Sequence, residues 1–490
     1  MNLPGPLFVV GSLLAIAAGL LILRRFTLIV AWVSAIAAGA IAVFVTMAPL
    51  DQTVDFGPIS VTLGAPLSIF GRVAVIEPVD LLPLTLIALI ASVLFLVAWR
   101  LLPRSSFFAT GLAILALLSG ALMVQQVVYA ALLVEIAALL AIFPLAEPIV
   151  DEQGNRYSGG ARGGLQYMVY TTLALPGLMI TQLLLEQFAI FPNDLGLLQT
   201  ATILLAFSFA LLLGAVPFQS WLSAVATDGS PPMVTFLFAV NLGAVWFLLL
   251  AYLQTYSWLS AQAAFGQLFT LVGLIMMVAG GTLAASQNRL GRIVGYATLV
   301  DNGAMLVALG SRHVTGLSLS IMMLVARPLS LGLMALGLDG LRRLGKGDDR
   351  VVTLAGAAWQ VPWRTLAFVV GGISMAGFPL SLGFAARWGL YRLLAEDNLF
   401  QAVLALLSSA GVMMGLVNTM RLLVTPSRSS ADGHLPDEGS PVGRRGTRED
   451  PVVLAMILAL LVGTILLGLF PQLVSGIVSQ MTEEFTFFSQ

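Results

Sequence analysis

The chain has 490 residues, of which 59% are hydrophobic and only 10% charged, and its formal net charge is −1. A soluble domain carries about 25% charged residues, so the composition excludes an ordinary soluble enzyme, and the near-zero net charge argues against nucleic acid as a partner. There is no cysteine, which excludes disulfides, iron–sulfur clusters and thiolate metal sites.

The charges fall between long apolar runs rather than on alternating faces, which reads as an all-α polytopic membrane protein. Fourteen spans are predicted, near 7–23, 27–48, 80–99, 106–124, 127–148, 165–185, 199–223, 232–254, 264–286, 291–310, 315–338, 362–394, 400–423 and 452–474. The opening "MNLPGPLFVV" has no positive n-region and no clear cleavage site, so the first run is expected to be a retained span. The stretch 49–79 alternates enough for a β-hairpin. The run 199–223 is interrupted by Pro217, in "GAVPFQSWLSAVATDGSPP" at 214–232. The run 362–394 is too long for one straight helix of about 20 residues, and it holds Pro379 in "AGFPLSLGFAARW" at 376–388. The segment 425–451 is rich in Ser, Gly, Pro and charge and is expected to be a linker. The octapeptide "GLRRLGKG" at 340–347 nearly spells a phosphate-binding loop, but Gly347 stands where a hydroxyl should hold magnesium. It also follows a helix rather than a strand, so nucleotide binding is not expected. His313 and His434 fall in predicted loops, so no histidine-ligated haem or metal is expected within the membrane.

Loop charge sets the expected orientation. With the N-terminus outside, eighteen Lys and Arg residues fall on inner loops, among them Arg24, Arg100, Arg289, Arg342 and Arg350, and only Arg72 and Arg312 fall on outer ones. Both termini are therefore expected to be external, with 425–451 on the cytoplasmic side of a cell membrane.

The proline-bearing stretches carry a resemblance. "PFQSWLSAVATDGSPP" is similar to the "PFHxWLPDAxxxAPxP" signature of antiporter-like subunits, and "AGFPLSLGFAARW" to their "GxPPxxGFxxKF". "NRLGRIVGYATLVDNGAM" at 288–305 resembles "xxLKRLLAYSSIxHxGY", and "VVYAALLVEIAALLAIF" resembles the helix with the family's membrane glutamate. The chain thus resembles, over roughly 80–475, the proton-channel subunits of respiratory complex I, of membrane-bound hydrogenases and of Mrp sodium/proton antiporters. The resemblance implies two inverted five-helix repeats, with helices seven and twelve broken near Pro217 and Pro379. That divides the chain into 1–104 with the first three helices and the hairpin loop, a first repeat at 105–255, a second at 263–424, the linker 425–451, and a last helix with its tail at 452–490. It also implies neighbouring membrane subunits as partners, protons or sodium ions as cargo, and no redox cofactor in this chain. The length matches the shorter family members, which lack the long lateral helix.

The family's lysine relay is missing. The chain has one lysine, Lys346, in a predicted loop. By resemblance the helix-seven lysine falls on Leu212, the helix-eight lysine on Asn241, the tenth-helix histidine on Asp301 and the twelfth-helix lysine on Arg387. Glu135 matches the family glutamate; an unpaired carboxylate inside an apolar run costs several kcal/mol, so it is expected to be paired or protonated. Asp301 is the second membrane carboxylate, a transport or ion-pairing residue. Arg387 keeps a charge but cannot release a proton, so it reads as a counter-ion or an electrostatic gate. Arg327 reads as a buried ion-pair partner. Asn241 cannot titrate but can hold water on the axis. Gln166 reads as surface packing, and Asp339 and Arg392 as solvated. Two further readings stay open: a scaffold subunit that keeps the fold without the channel, and a free-standing ion transporter using Glu135 and Asp301.

Overall fold

The computed structural model describes residues 2–57, 59–69, 72–101, 106–150, 156–157, 160–191, 194–256, 259, 263–425 and 449–488. The expected linker lies almost wholly outside the described residues, as does His434. Eighteen helices run in chain order among the described residues. The first half comprises α1 (Gly5–Ile22), α2 (Thr27–Met47), α3 (Pro78–Ala98), α4 (Phe107–Met123), α5 (Val127–Ala146), α6 (Ala161–Ile190), α7 (Leu195–Leu213), α8 (Ser220–Asp228) and α9 (Pro231–Thr255). The second half comprises α10 (Ala263–Ala285), α11 (Leu290–Gly310), α12 (Val314–Leu344), the single turn α13 (Ala357–Gln360), α14 (Pro362–Ala376), α15 (Leu382–Asp397) and α16 (Leu399–Val424). Two helices follow, α17 (Pro451–Leu469) and α18 (Gln472–Glu484).

Twelve of these are long and apolar enough to cross a membrane. The apolar α4, with 17 residues, and the interrupted pair α14–α15 complete the fourteen expected spans. Inside a bilayer only a helix satisfies every backbone group within its own segment. Proline opens α3, α9, α14 and α17, where its missing N–H has no helical partner to lose.

The bundle is layered. Every residue in the apolar window of α9 is buried, and 94% in that of α11, against 17% in that of α17. The outer helices present large apolar side chains such as Leu21, Ile36, Phe143 and Leu406 outward, as a lipid-facing surface requires. α11 packs against α8, α10 and α12, so it touches the interrupted helix of the first half as well as its own neighbours.

The expected single hairpin is two. β2 (Thr53–Phe56) pairs antiparallel with β3 (Ile59–Thr62), and the N-terminal strand β1 (Asn2–Pro4) adds in parallel to β3. β4 (Leu67–Ile69) and β5 (Arg72–Ala74) form the second. A further two-residue pair, β6 (Ile149–Val150) with β7 (Arg156–Tyr157), follows α5. The alternation over 49–79 marks the extended chain, but strands of three or four residues do not fix how many hairpins it makes.

The eleventh span, expected at 315–338, runs on as α12 to Leu344, and Asp339, expected to be solvated, is 2% exposed. It is held there because its carboxylate accepts from Arg343 Nε at 2.8 Å and from Arg364 Nη1 at 3.1 Å. Arg392 is exposed as expected, beside Glu396 at 3.3 Å.

Candidate functional site

Two helix breaks organise the centre of the molecule, and both are built by the same local device. α7 ends at Gly214 with φ 68°, and α14 ends at Gly377 with φ 78°. In each, the glycine N–H bonds the carbonyl three residues back, Leu211 or Ser374. The next N–H, of Ala215 or Phe378, reaches five back to Ala210 or Ile373, at 2.7 and 3.2 Å. This is a Schellman cap, and it needs a residue that enters the left-handed region freely. The helices therefore stop at the glycines. Pro217 and Pro379, the residues that betrayed the breaks, come after the stop, where proline cannot continue a helix.

A broken helix leaves carbonyls at its end, and neighbours meet them here. In the first half Trp221 Nε1, on α8, donates to Leu211 O at 3.3 Å. Asn302 Nδ2, from α11, donates to Leu213 O at 2.9 Å. In the second half Arg387 Nη2, on α15, donates to Met375 O at 3.4 Å.

Three of the residues singled out from sequence meet in one buried cluster. Asp301, on α11, accepts from Arg327 Nε at 2.7 Å on one oxygen and from Arg387 Nη2 at 2.9 Å on the other. The side chains are 6%, 1% and 1% exposed respectively, so the charges are desolvated, and such a cluster is tolerable only with good geometry; one donor, Arg387 Nη1, has no partner among the described residues. Arg327 adds a bond from Nη2 to Asn302 Oδ1 at 2.7 Å. The result is a continuous hydrogen-bonded chain from Leu213 O through Asn302, Arg327, Asp301 and Arg387 to Met375 O. It runs from one helix break to the other. The helix C-termini at both ends carry partial negative charge, which complements a cluster with two arginines and one carboxylate. Beside it, Ser330 and Ser374 hydroxyls are 2.7 Å apart. Asn302 was missed from sequence: as a neutral residue beside an aspartate it gave no charge signal.

The first half is arranged differently. Glu135, on α5, is 8% exposed, and one oxygen accepts from Thr172 Oγ1 of α6 at 2.5 Å. Its other oxygen has no partner among the described residues. A small cavity of about 10 Å³ beside it is lined by Leu175, Leu178, Leu212 and Leu248. Leu212, the position onto which the family lysine falls, thus faces the glutamate and gives it no charge. Asn241 closes a π turn, Leu237–Asn241, inside α9, where the Leu242 N–H reaches five residues back. Such wide turns are uncommon and recur at functional positions. Asn241 Nδ2 donates to the Tyr167 hydroxyl at 2.5 Å, and its Oδ1 is unpartnered. Gln166, next to Tyr167, also has an unpartnered buried carbonyl oxygen, so it is less of a surface residue than expected. Glu135 and Asn241 are not joined to the arginine cluster by any described hydrogen bond.

A second arginine anchor was hidden in the loop count. Arg342 is 4% exposed and donates to the carbonyls of Ala226, Thr227 and Gly229 at 2.7–2.8 Å, and to Asp349 at 3.0 Å. A cation on the last carbonyls of α8 is favourable with its dipole, and it pins the short half-helix to the end of α12.

Solved structures with the same fold include a chain of the Mrp complex from Dietzia sp., with TM-score 0.75 at 17% identity over 97% of this chain and 96% of that one. A chain of the archaeal membrane-bound sulfane sulfur reductase gives TM-score 0.76 at 17% identity over 99% and 98%. Among curated sequences, NADH-quinone oxidoreductase subunit N of Ectopseudomonas mendocina is 26% identical over 329 residues, 63% of each chain. The subunit N of Acidithiobacillus ferrooxidans is 29% identical over 281 residues, 55% of this chain and 54% of its own. The match thus spans under two thirds of those relatives' length. The family model described as NADH:quinone oxidoreductase/Mrp antiporter, transmembrane, matches residues 165–414. That range holds both breaks, Asn241 and the whole arginine cluster, while Glu135 precedes it. This multi-pass membrane chain belongs to the NADH:quinone oxidoreductase/Mrp antiporter transmembrane family.

Proposed function

We propose that the chain works as an antiporter-like subunit of a multi-subunit membrane complex of the complex I or Mrp kind, and that its ion handling is confined to the first half, at Glu135. One observation carries this. Among the described residues, Glu135 is the carboxylate deep in an apolar run that has no cation beside it and one oxygen without a partner. A proton is the simplest way to neutralise such a group in a membrane. Asp301, in contrast, has both oxygens taken by arginines, and arginine does not give up its proton. The break-to-break chain is then a mechanical and electrostatic tie rather than a relay.

The test uses the intact complex. Glu135→Gln should lower coupled ion transport per turnover while co-purification of the neighbouring membrane subunits is unchanged. Unchanged transport in an assembled Glu135→Gln complex would favour the scaffold reading, in which the fold alone is retained. A chain that purifies without partners would favour the free-standing transporter.

The same reading puts both termini on the outer side of the cell membrane. The support is the excess of Lys and Arg on the opposite face. A protease site introduced into 425–451 should be cut only from the cytoplasmic side; cutting from outside would reverse the orientation.

A further inference from the structure

One of the described cavities lies on the face that carries the hairpins. Its volume is about 310 Å³, and Glu77, Asp80, Gln125, Gln254, Tyr252 and Leu248 are among its walls. Its mouth is polar: Gln125 Nε2 donates to Glu77 Oε1 at 3.3 Å, and the Glu77 N–H donates to Asp80 Oδ2 at 3.0 Å. The hairpin side forms the rim, with Gln125 N–H bonding Val73 O and Val75 N–H bonding Met123 O. Tyr252 is another of its walls. Tyr252 is 0% exposed, and its hydroxyl has no hydrogen-bond partner. A buried hydroxyl of this kind is where water is recruited. One turn back on α9, Leu248 also lines this cavity. Leu248 also lines the small cavity at Glu135. A single leucine, 4% exposed, therefore borders both cavities, one walled by Tyr252 and the other by Glu135.

We propose that this cavity is an aqueous vestibule through which Glu135 exchanges with the hairpin side, and that Leu248 is its hydrophobic gate. Apolar constrictions gate water and ions by dewetting. Leu248 and Tyr252 are four apart and share one face of α9, so a rotation or shift of that helix moves both together. The route stays within the first half and does not touch the arginine cluster. It rests on Glu135 being the ion-handling residue, and the test keeps the two ideas apart.

The chain has no cysteine, so single introduced cysteines report accessibility without background. The full chain is kept in its native membrane and treated with a charged, membrane-impermeant methanethiosulfonate from the hairpin side. Asp51→Cys in the hairpin loop is the same-side reference. Asp80→Cys and Tyr252→Cys should react from that side, and Glu135→Cys should react about tenfold or more slowly. Adding Leu248→Ala, or the milder Leu248→Val where the alanine variant folds poorly, should remove most of that protection. Tyr252→Cys protected while Asp51→Cys reacts would overturn the vestibule. Glu135→Cys reacting at the same rate with and without Leu248 would overturn the gate. The readout needs no transport. If the labelling pattern holds but Glu135→Gln transports normally, the route stands and the role of Glu135 falls. If Glu135→Gln stops transport while Tyr252→Cys is protected, the reverse holds.

Discussion

The two halves of the molecule solve the same backbone problem identically and the chemical problem oppositely. At Gly214 and at Gly377 a left-handed glycine ends a membrane helix with the same pair of capping bonds, and a proline follows. The surroundings of the two breaks have little in common. The first is met by an indole and an amide, and its membrane carboxylate, Glu135, faces leucines. The second is met by a guanidinium, and its carboxylate, Asp301, is clamped between two arginines. A repeat can thus keep a geometry that depends on glycine stereochemistry while the side chains around it diverge. Charge paired with charge in one half and a carboxylate with no cation beside it in the other set the two halves apart.

The largest effect is expected where the tie is cut on one side. Asp301→Asn leaves Arg327 and Arg387 buried without a counter-charge, which costs about 3–5 kcal/mol. The purified complex should lose this chain on a native gel or unfold at a much lower temperature. Replacing the whole cluster, as Asp301→Leu with Arg327→Met and Arg387→Met, should be close to neutral or better for stability, because the desolvation of three charges disappears with them. A triple variant no more stable than Asp301→Asn would mean that the cluster is not a self-contained tie.

The breaks themselves give the next effect. Gly377→Ala must place a residue at φ 78°, with its Cβ driven against Arg387 Cγ. Gly214→Ala has φ 68° and a Cβ 2.7 Å from the flexible end of Leu222. The left-handed backbone alone costs roughly 1–2 kcal/mol, and the contact adds more at 377, where the neighbour is fixed by its ion pair. Thermal unfolding of both variants should rank Gly377→Ala as the less stable; the opposite order would break the comparison.

Glu135→Gln should separate function from stability. The Thr172 hydroxyl can still donate to an amide oxygen, so the change in stability should stay within about 1.5 kcal/mol while transport falls. Smallest of all is Arg392→Ala. Arg392 and Glu396 are 77% and 63% exposed, and pairs of this kind contribute little. No measurable shift in the unfolding midpoint is expected, and a clear one would point to a partner covering that face.

Much of this was legible in the sequence because membranes simplify the code. Spans follow from apolar runs, and the fourteen runs reappear with shifts of a few residues at most ends. Pro217 and Pro379 marked the breaks, although the glycines before them make the stops. Arg327, Asp301 and Arg387 were each singled out as buried charge, since lipid exposure of any of them would be costly. Their meeting in one cluster was not legible, because residues 301, 327 and 387 lie on three helices and no local spacing brings them together. Asn302 and Thr172 carried no signal, being ordinary polar residues in helices. Asp339 was misread because a charge near a helix end looks solvated until Arg343 and Arg364 are seen to close over it.

The most direct test of the division between the halves is coupled ion transport per turnover in the intact complex, measured side by side for Glu135→Gln and Arg387→Lys. Lysine at 387 keeps the positive charge against Asp301, so the tie holds. The account predicts a large loss of transport in Glu135→Gln and wild-type transport in Arg387→Lys. Normal transport in Glu135→Gln together with altered transport in Arg387→Lys would place the ion path in the second half and contradict it.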